Sequence, residues 1–204
     1  MKIVALGDSL TVGETEFQFI DSVDPYSYPE YLESLATRYL NSHRMPGTVK
    51  VVNRGVSGDL TSGMLERFTE DVVNEKADCV IILGGTNDIG WGLDPVVITH
   101  NLTNMYDRAI EKRIVPVACS VPSILGLDDL IPPRITVNRM ISNEIEKRKL
   151  AFVDIFTATA DPQTNRLLEE YSADGLHLTP KGYQKIGKCI FDQWLTSFLD
   201  QPVK

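Results

Sequence analysis

Cys79-Val80-Ile81-Ile82-Leu83-Gly84-Gly85-Thr86-Asn87-Asp88 decides the fold. Five apolar residues, three of them β-branched, run without a polar interruption, then give way to two glycines and three short polar side chains. A strand that shows one face to water alternates apolar and polar residues; a strand covered on both faces does not. Cys79–Leu83 therefore reads as a central strand of a parallel sheet, with a polar turn at its carboxyl end. The same signature recurs outward along the chain at Ile3-Leu6, Val49-Val52, Ile114-Val121 and Ala151-Ile155.

Between these runs the apolar residues take helical spacing. The five sets are Tyr31 to Leu40, Met64 to Val72, Ile98 to Ile110, Val137 to Ile145 and Tyr183 to Phe198. The last is the most regular, and Pro180 stands near its start, where proline is tolerated. Strand then helix, five times over, specifies an α/β domain with a parallel sheet and helices on both faces. The 204 residues fit one domain over 1–204, with no repeat, linker or low-complexity tract. Two long connections, Gly13 to Tyr28 and Pro122 to Pro133, follow strand ends and carry apolar residues: Phe17, Phe19 and Ile20 in one, Ile124, Leu125, Leu127 and Ile131 in the other. Long loops in compact domains often border a site; these side chains can equally pack on the body.

A formal net charge of -8 argues against a nucleic-acid partner, because it repels a phosphate backbone. The one dense basic cluster, Lys147-Arg148-Lys149, closes a predicted helix, where cations are favoured anyway. No apolar stretch approaches the ~18 residues of a membrane span. The first strand starts almost at Met1 and leaves no room for a secretory leader, so a cytoplasmic protein is expected. Three cysteines, Cys79, Cys119 and Cys189, cannot pair completely and fit no zinc spacing. Cys79 and Cys119 are expected to be reduced, buried packing residues.

In an open parallel sheet, ligands bind beyond the carboxyl ends of the strands, so chemistry is sought there. Of three histidines, His43 lies at a helix end and His100 within a helix. His177 lies in Asp174-Gly175-Leu176-His177, between the last strand and the last helix. At that spacing Asp174 can hold one ring nitrogen and leave the other as a base; a solvated surface pair reads the same. Gly7-Asp8-Ser9-Leu10 follows the first strand and offers a hydroxyl that is nucleophilic only beside a base, or else a helix cap. Gly55-Val56-Ser57-Gly58-Asp59 and Gly84-Gly85-Thr86-Asn87-Asp88 follow the second and third strands. Their amides suit an oxyanion, and their composition suits plain turns. Each segment alone is ambiguous. Together they supply a nucleophile, a base, an orienting acid and oxyanion donors, the parts of an acyl-transfer site.

In these four segments, in this order, the chain resembles the SGNH hydrolases, also called GDSL esterases and lipases. The resemblance runs from residue 7 to residue 177 and is nearest to small esterases, lysophospholipases and thioesterases. It implies a flavodoxin-like three-layer α/β/α sandwich with a five-stranded parallel sheet of order 2-1-3-4-5. It implies Ser9 as nucleophile, His177 as base and Asp174 as its partner. It implies an oxyanion hole of the Ser9 amide, the Gly58 amide and the Asn87 side chain. The expected activity is hydrolysis of a small-molecule ester through an acyl-serine, with no cofactor and no metal. Leu178 stands where many members have proline, and the third segment reads Gly-Thr-Asn-Asp, a common variant. The Gly-x-Ser-x-Gly elbow of the α/β-hydrolase fold is absent.

Trp91 and loop residues such as Leu125 are candidates to line an acyl pocket. Asp8 and Asp88 are candidate loop braces, with Asp8 also a candidate substrate contact. Two other readings compete. A metal-dependent phosphoesterase would use Asp8, Asp59, Asn87, Asp88 and His177 as ligands. A non-catalytic flavodoxin-like module would hold phosphate or flavin, though both the phosphate-binding loop and the dinucleotide fingerprint are missing.

Overall fold

The computed structural model describes residues 1–14 and 27–201. Phe17, Phe19 and Ile20 lie outside the described residues. The five strands are β1 (Lys2–Gly7), β2 (Lys50–Gly55), β3 (Cys79–Leu83), β4 (Val115–Cys119) and β5 (Ala151–Val153), all paired in parallel in the order β2-β1-β3-β4-β5. This is the flavodoxin-like order expected from the resemblance.

Side chains alternate across a strand, so neighbouring residues feed opposite layers. On one face Ile3, Ala5, Cys79, Ile81 and Leu83 pack with Val117 and Val153 under α2 (Tyr28–Ser42) and α8 (Pro180–Ile190). On the other, Val4, Leu6, Val80 and Ile82 pack under α3 (Thr61–Glu66), α5 (Pro95–Glu111) and α6 (Ile131–Arg148). The result is three layers, α/β/α, with the central strand buried along its whole length.

The strand at the sheet edge departs from the expected two-sided burial. In β2 only Val51 is buried, and Asn53 is exposed; β2 is the edge strand, and among the described residues no strand pairs with its outer margin. Arg54 uses that margin to meet Glu75, as well as Asp71 at 3.9 Å. One-turn helices that periodicity does not reveal follow three strands: α1 (Ser9–Val12), α4 (Thr86–Gly90) and α7 (Ile155–Thr159). Four or five residues are too few to display a 3.6-residue period. The expected loop from Pro122 to Pro133 is shorter than its composition suggests. Ile131, Pro132 and Pro133 already belong to α6, with proline in the first turn, where no backbone N–H is required. The helical sets at Met64–Val72 and Tyr183–Phe198 are each interrupted by a wider turn, Thr69–Val73 and Phe191–Leu195; the second leads into α9 (Thr196–Leu199). Cys79, Cys119 and Cys189 are all buried and unpaired. Among the described residues no helix is long and apolar enough to cross a membrane.

Candidate active site

The carboxyl edge of the sheet gathers the turns that follow β1, β2 and β3 and the segment that precedes α8. The first turn is tight because of Gly7. A Cβ there would stand 2.1 Å from Thr11 Oγ1 and 2.4 Å from the Leu83 carbonyl oxygen, so only glycine lets the chain fold back at the end of β1. Asp8 caps the turn, its Oδ1 accepting from the Leu10 amide at 3.0 Å. Ser9 is then the first residue of α1, a position whose amide has no acceptor within the helix.

His177 reaches Ser9 from 168 residues away. Its loop is closed by a bridge between Ser172 and Leu178, and Leu178 is fully buried. Within the loop, Asp174 Oδ1 accepts from the Leu176 amide (2.9 Å) and the His177 amide (2.7 Å). Asp174 Oδ2 lies 2.7 Å from His177 Nδ1, and His177 Nε2 lies 3.1 Å from Ser9 Oγ. Partial burial works against ionisation of Asp174. The bonds from the imidazole and the two amides outweigh it and hold the carboxyl below its ordinary value. The arrangement leaves Nε2 free to accept the Ser9 proton while Nδ1–H stays on a carboxylate.

Asn87 stands in the first turn of α4, and its side-chain amide donates one hydrogen to the Asp59 carbonyl at 2.9 Å. Among the described residues nothing accepts the other amide hydrogen. Gly58 holds a positive φ of 74°, and the space where a Cβ would sit is open. Among the described residues nothing accepts a hydrogen bond from the Gly58 amide.

Asp88 is fully buried and accepts from the Thr61 amide (3.0 Å) and hydroxyl (2.6 Å), as a loop brace should; Asn101 in turn donates to that hydroxyl at 3.0 Å. Asp8 is only 1% exposed, which places it beneath the Ser9 turn. Nothing among the described residues donates to its second oxygen. Burial, reinforced by repulsion from Asp88 and Asp59 and opposed by the Leu10 amide and His177, pushes its carboxyl up to about 7. Trp91 caps the end of α4 and is 77% exposed. The Leu125 amide donates to the Gly175 carbonyl at 2.9 Å, so its backbone lies against the Asp174–His177 loop. Buried Arg134 holds that neighbouring segment by donating to the Pro122 carbonyl at 3.1 Å and the Leu130 carbonyl at 3.0 Å.

Sequence reasoning missed two residues. Arg67 donates to the Gly7 carbonyl (2.9 Å), the Arg54 carbonyl (2.9 Å) and Asp59 (2.8 Å), tying the ends of β1 and β2 to the Gly58 loop. Glu14 places its Oε2 3.5 Å from His177 Nε2. Neither shows a signal in the sequence beyond its position shortly after a candidate segment. Of the ligand set for a metal, three groups have other partners: Asp59 pairs with Arg67, Asp88 with Thr61 and His177 Nδ1 with Asp174. Among the described residues no group of three His, Cys, Asp or Glu is placed to hold a metal ion.

A sequence model of the GDSL-like Lipase/Acylhydrolase family matches residues 5–185. An arylesterase of Vibrio mimicus is 27% identical over 202 residues, covering 93% of this chain and 86% of that protein. The lipase/acylhydrolase from Enterococcus faecalis shares the fold with a TM-score of 0.75 at 23% identity, over 100% of this chain and 98% of that one. A member of the lipolytic protein G-D-S-L family from Veillonella parvula gives a TM-score of 0.75 at 19% identity, over 96% and 98%.

Proposed function

Because the chain belongs to the GDSL-like lipase/acylhydrolase family and is an ester-hydrolysing serine hydrolase, we propose that Ser9, His177 and Asp174 carry its reaction. The observation that supports this assignment is the continuous path from Ser9 Oγ through both nitrogens of His177 to Asp174. Ser9 Oγ attacks the ester carbonyl carbon as His177 Nε2 takes the hydroxyl proton. The carbonyl π electrons move to oxygen, where the Ser9 and Gly58 amides and the Asn87 amide receive the charge. The tetrahedral centre collapses, the C–O bond to the alcohol breaks, and His177 returns its proton to the departing oxygen. Water then repeats the sequence on the acyl-serine, giving the acid and free Ser9.

The substrate is an ester of a small molecule. An aryl ester is the first class to assay, since the Vibrio mimicus relative is named an arylesterase. Acetyl and lysophospholipid esters extend the series. Asp8 is proposed as a support for the nucleophile turn, on the strength of its burial. The whole of 1–204 is proposed to act as a single domain, with the site residues drawn from both ends of the chain. Three buried, unpaired thiols suit a reducing compartment, and we place the protein in the cytoplasm on that ground.

Ser9→Ala tests the assignment. It is expected to abolish hydrolysis of 4-nitrophenyl acetate and labelling by a fluorophosphonate, with the unfolding transition unchanged. Retained turnover in that variant would refute the role of Ser9.

A further inference from the structure

Glu14 stands beside the base and nothing in the reaction above uses it. Its position is built. The Glu14 amide donates to the Ser9 carbonyl at 3.3 Å, and the Glu14 carbonyl accepts from the Tyr183 hydroxyl at 2.5 Å. Tyr183 is itself buried in α8, so the backbone of Glu14 is tied both to the nucleophile turn and to a core helix. Its carboxylate accepts from the Ser57 hydroxyl through Oε1 and presents Oε2 to His177 Nε2 at 3.5 Å. Ser57 immediately precedes the oxyanion donor Gly58. The carboxylate thus stands between the second polar turn and the base, beside the nitrogen that protonates the leaving alcohol. About a third of its side chain is exposed. Among the described residues neither Lys nor Arg pairs with it.

We propose that Glu14 is a specificity determinant that selects esters whose alcohol carries a positive charge, an ammonium group a few bonds from the ester oxygen. This rests on the assignment of Ser9 and His177 as nucleophile and base. During alcohol departure the ester oxygen must approach Nε2, and a cation on the alcohol is then carried to within a few ångströms of Glu14. The charge is held in place before substrate arrives, so attraction requires no rearrangement. Arg67, a fixed cation on this edge, is spent on Asp59, Asp71 and two carbonyls, and Arg134 on two further carbonyls. An anionic alcohol is disfavoured for the same reason.

The probes are acetylcholine and neohexyl acetate, which replaces the quaternary nitrogen with carbon and keeps the shape. For unit charges about 6 Å apart at an effective dielectric of about 40, kcat/KM should favour the cation about tenfold. The ratio should shrink as salt is raised. In Glu14→Gln it should fall to about one, whatever the absolute rates, and Glu14→Asp should restore part of it. Hydrolysis of both esters with a wild-type ratio near one overturns the role of Glu14 and leaves Ser9 and His177 standing. A preference that survives in Glu14→Gln does the same. Failure to hydrolyse either ester, together with no fluorophosphonate labelling of Ser9, overturns the site assignment and this inference with it. Should Glu14→Gln not fold, the salt dependence of the wild-type ratio decides alone.

Discussion

Replacing Asp8 with asparagine should alter how stability responds to pH. Burial beneath the nucleophile turn pushes the Asp8 carboxyl from an ordinary 3.8 up to about 7, with the Asp88 and Asp59 carboxylates adding to the effect. The unfolded chain therefore loses this proton first as pH rises. Below the lower value both states hold the proton, and the contribution to stability is complete. Between the two values the folded state holds one proton more, and stability falls by about 1.4 kcal/mol per pH unit. Above the upper value neither state holds it and the loss levels off. From about pH 5 to about pH 8.5 the loss is therefore about 3 kcal/mol. Asparagine keeps the shape and can still accept from the Leu10 amide, but it does not titrate. Urea unfolding of both proteins at several pH values isolates the effect, because every other titrating group cancels in the difference. The variant should gain about 3 kcal/mol on the wild type between the ends of that range. A difference that stays constant within about 0.5 kcal/mol would refute the claim that Asp8 is buried with its second oxygen unpaired.

Two further outcomes follow from single contacts. Asn87→Ala removes a donor whose other hydrogen is already fixed on the Asp59 carbonyl; steady-state kinetics should show kcat lower by about 100-fold to 1,000-fold with KM little changed. Gly7→Ala drives a methyl group to 2.4 Å from the Leu83 carbonyl oxygen, a backbone atom that cannot turn aside. Denaturant unfolding should report a loss of about 2 kcal/mol or more, since overpacking of this kind forces the backbone to shift.

The central strand was legible to the residue, and the reason is physical. Cys79–Leu83 is covered on both faces, so burial alone wrote its sequence. At the sheet margin, β2 serves two environments, and Asn53 and Arg54 continue a strand whose apolar run ends at Val52. The start of α6 was hidden because prolines that seed a helix look like prolines that prevent one. The order of strands came from the resemblance and not from periodicity, which sees only local contacts. The same limit governs the site. Asp174 and His177 could be paired from spacing alone, because three residues span one turn. The meeting of His177 with Ser9 depends on α8 packing against α2 and on β1 lying inside the sheet, and nothing local encodes it. Glu14 was lost for a related reason: its backbone is held by Tyr183, 169 residues away.

Several carboxylates gather at this edge of the sheet, and their neighbours distinguish them. Asp88 receives the amide and hydroxyl of Thr61 and serves as a brace. Asp59 receives the Arg67 guanidinium and anchors a loop. Asp174 receives two amides on one oxygen and an imidazole on the other, so the interaction that folds the turn also orients the base. Asp8 receives one amide and otherwise faces the interior, which is why it resists ionisation. Glu14 receives a serine hydroxyl and keeps its remaining oxygen toward the base. A carboxylate's role follows from the donors it is given, since each donor stabilises the charged form and each buried lone pair without one destabilises it. Sequence supplies the carboxylates; the carboxyl edge of the parallel sheet, where turns from distant segments converge, supplies the donors. Altering a donor should therefore reassign a carboxylate as effectively as mutating it.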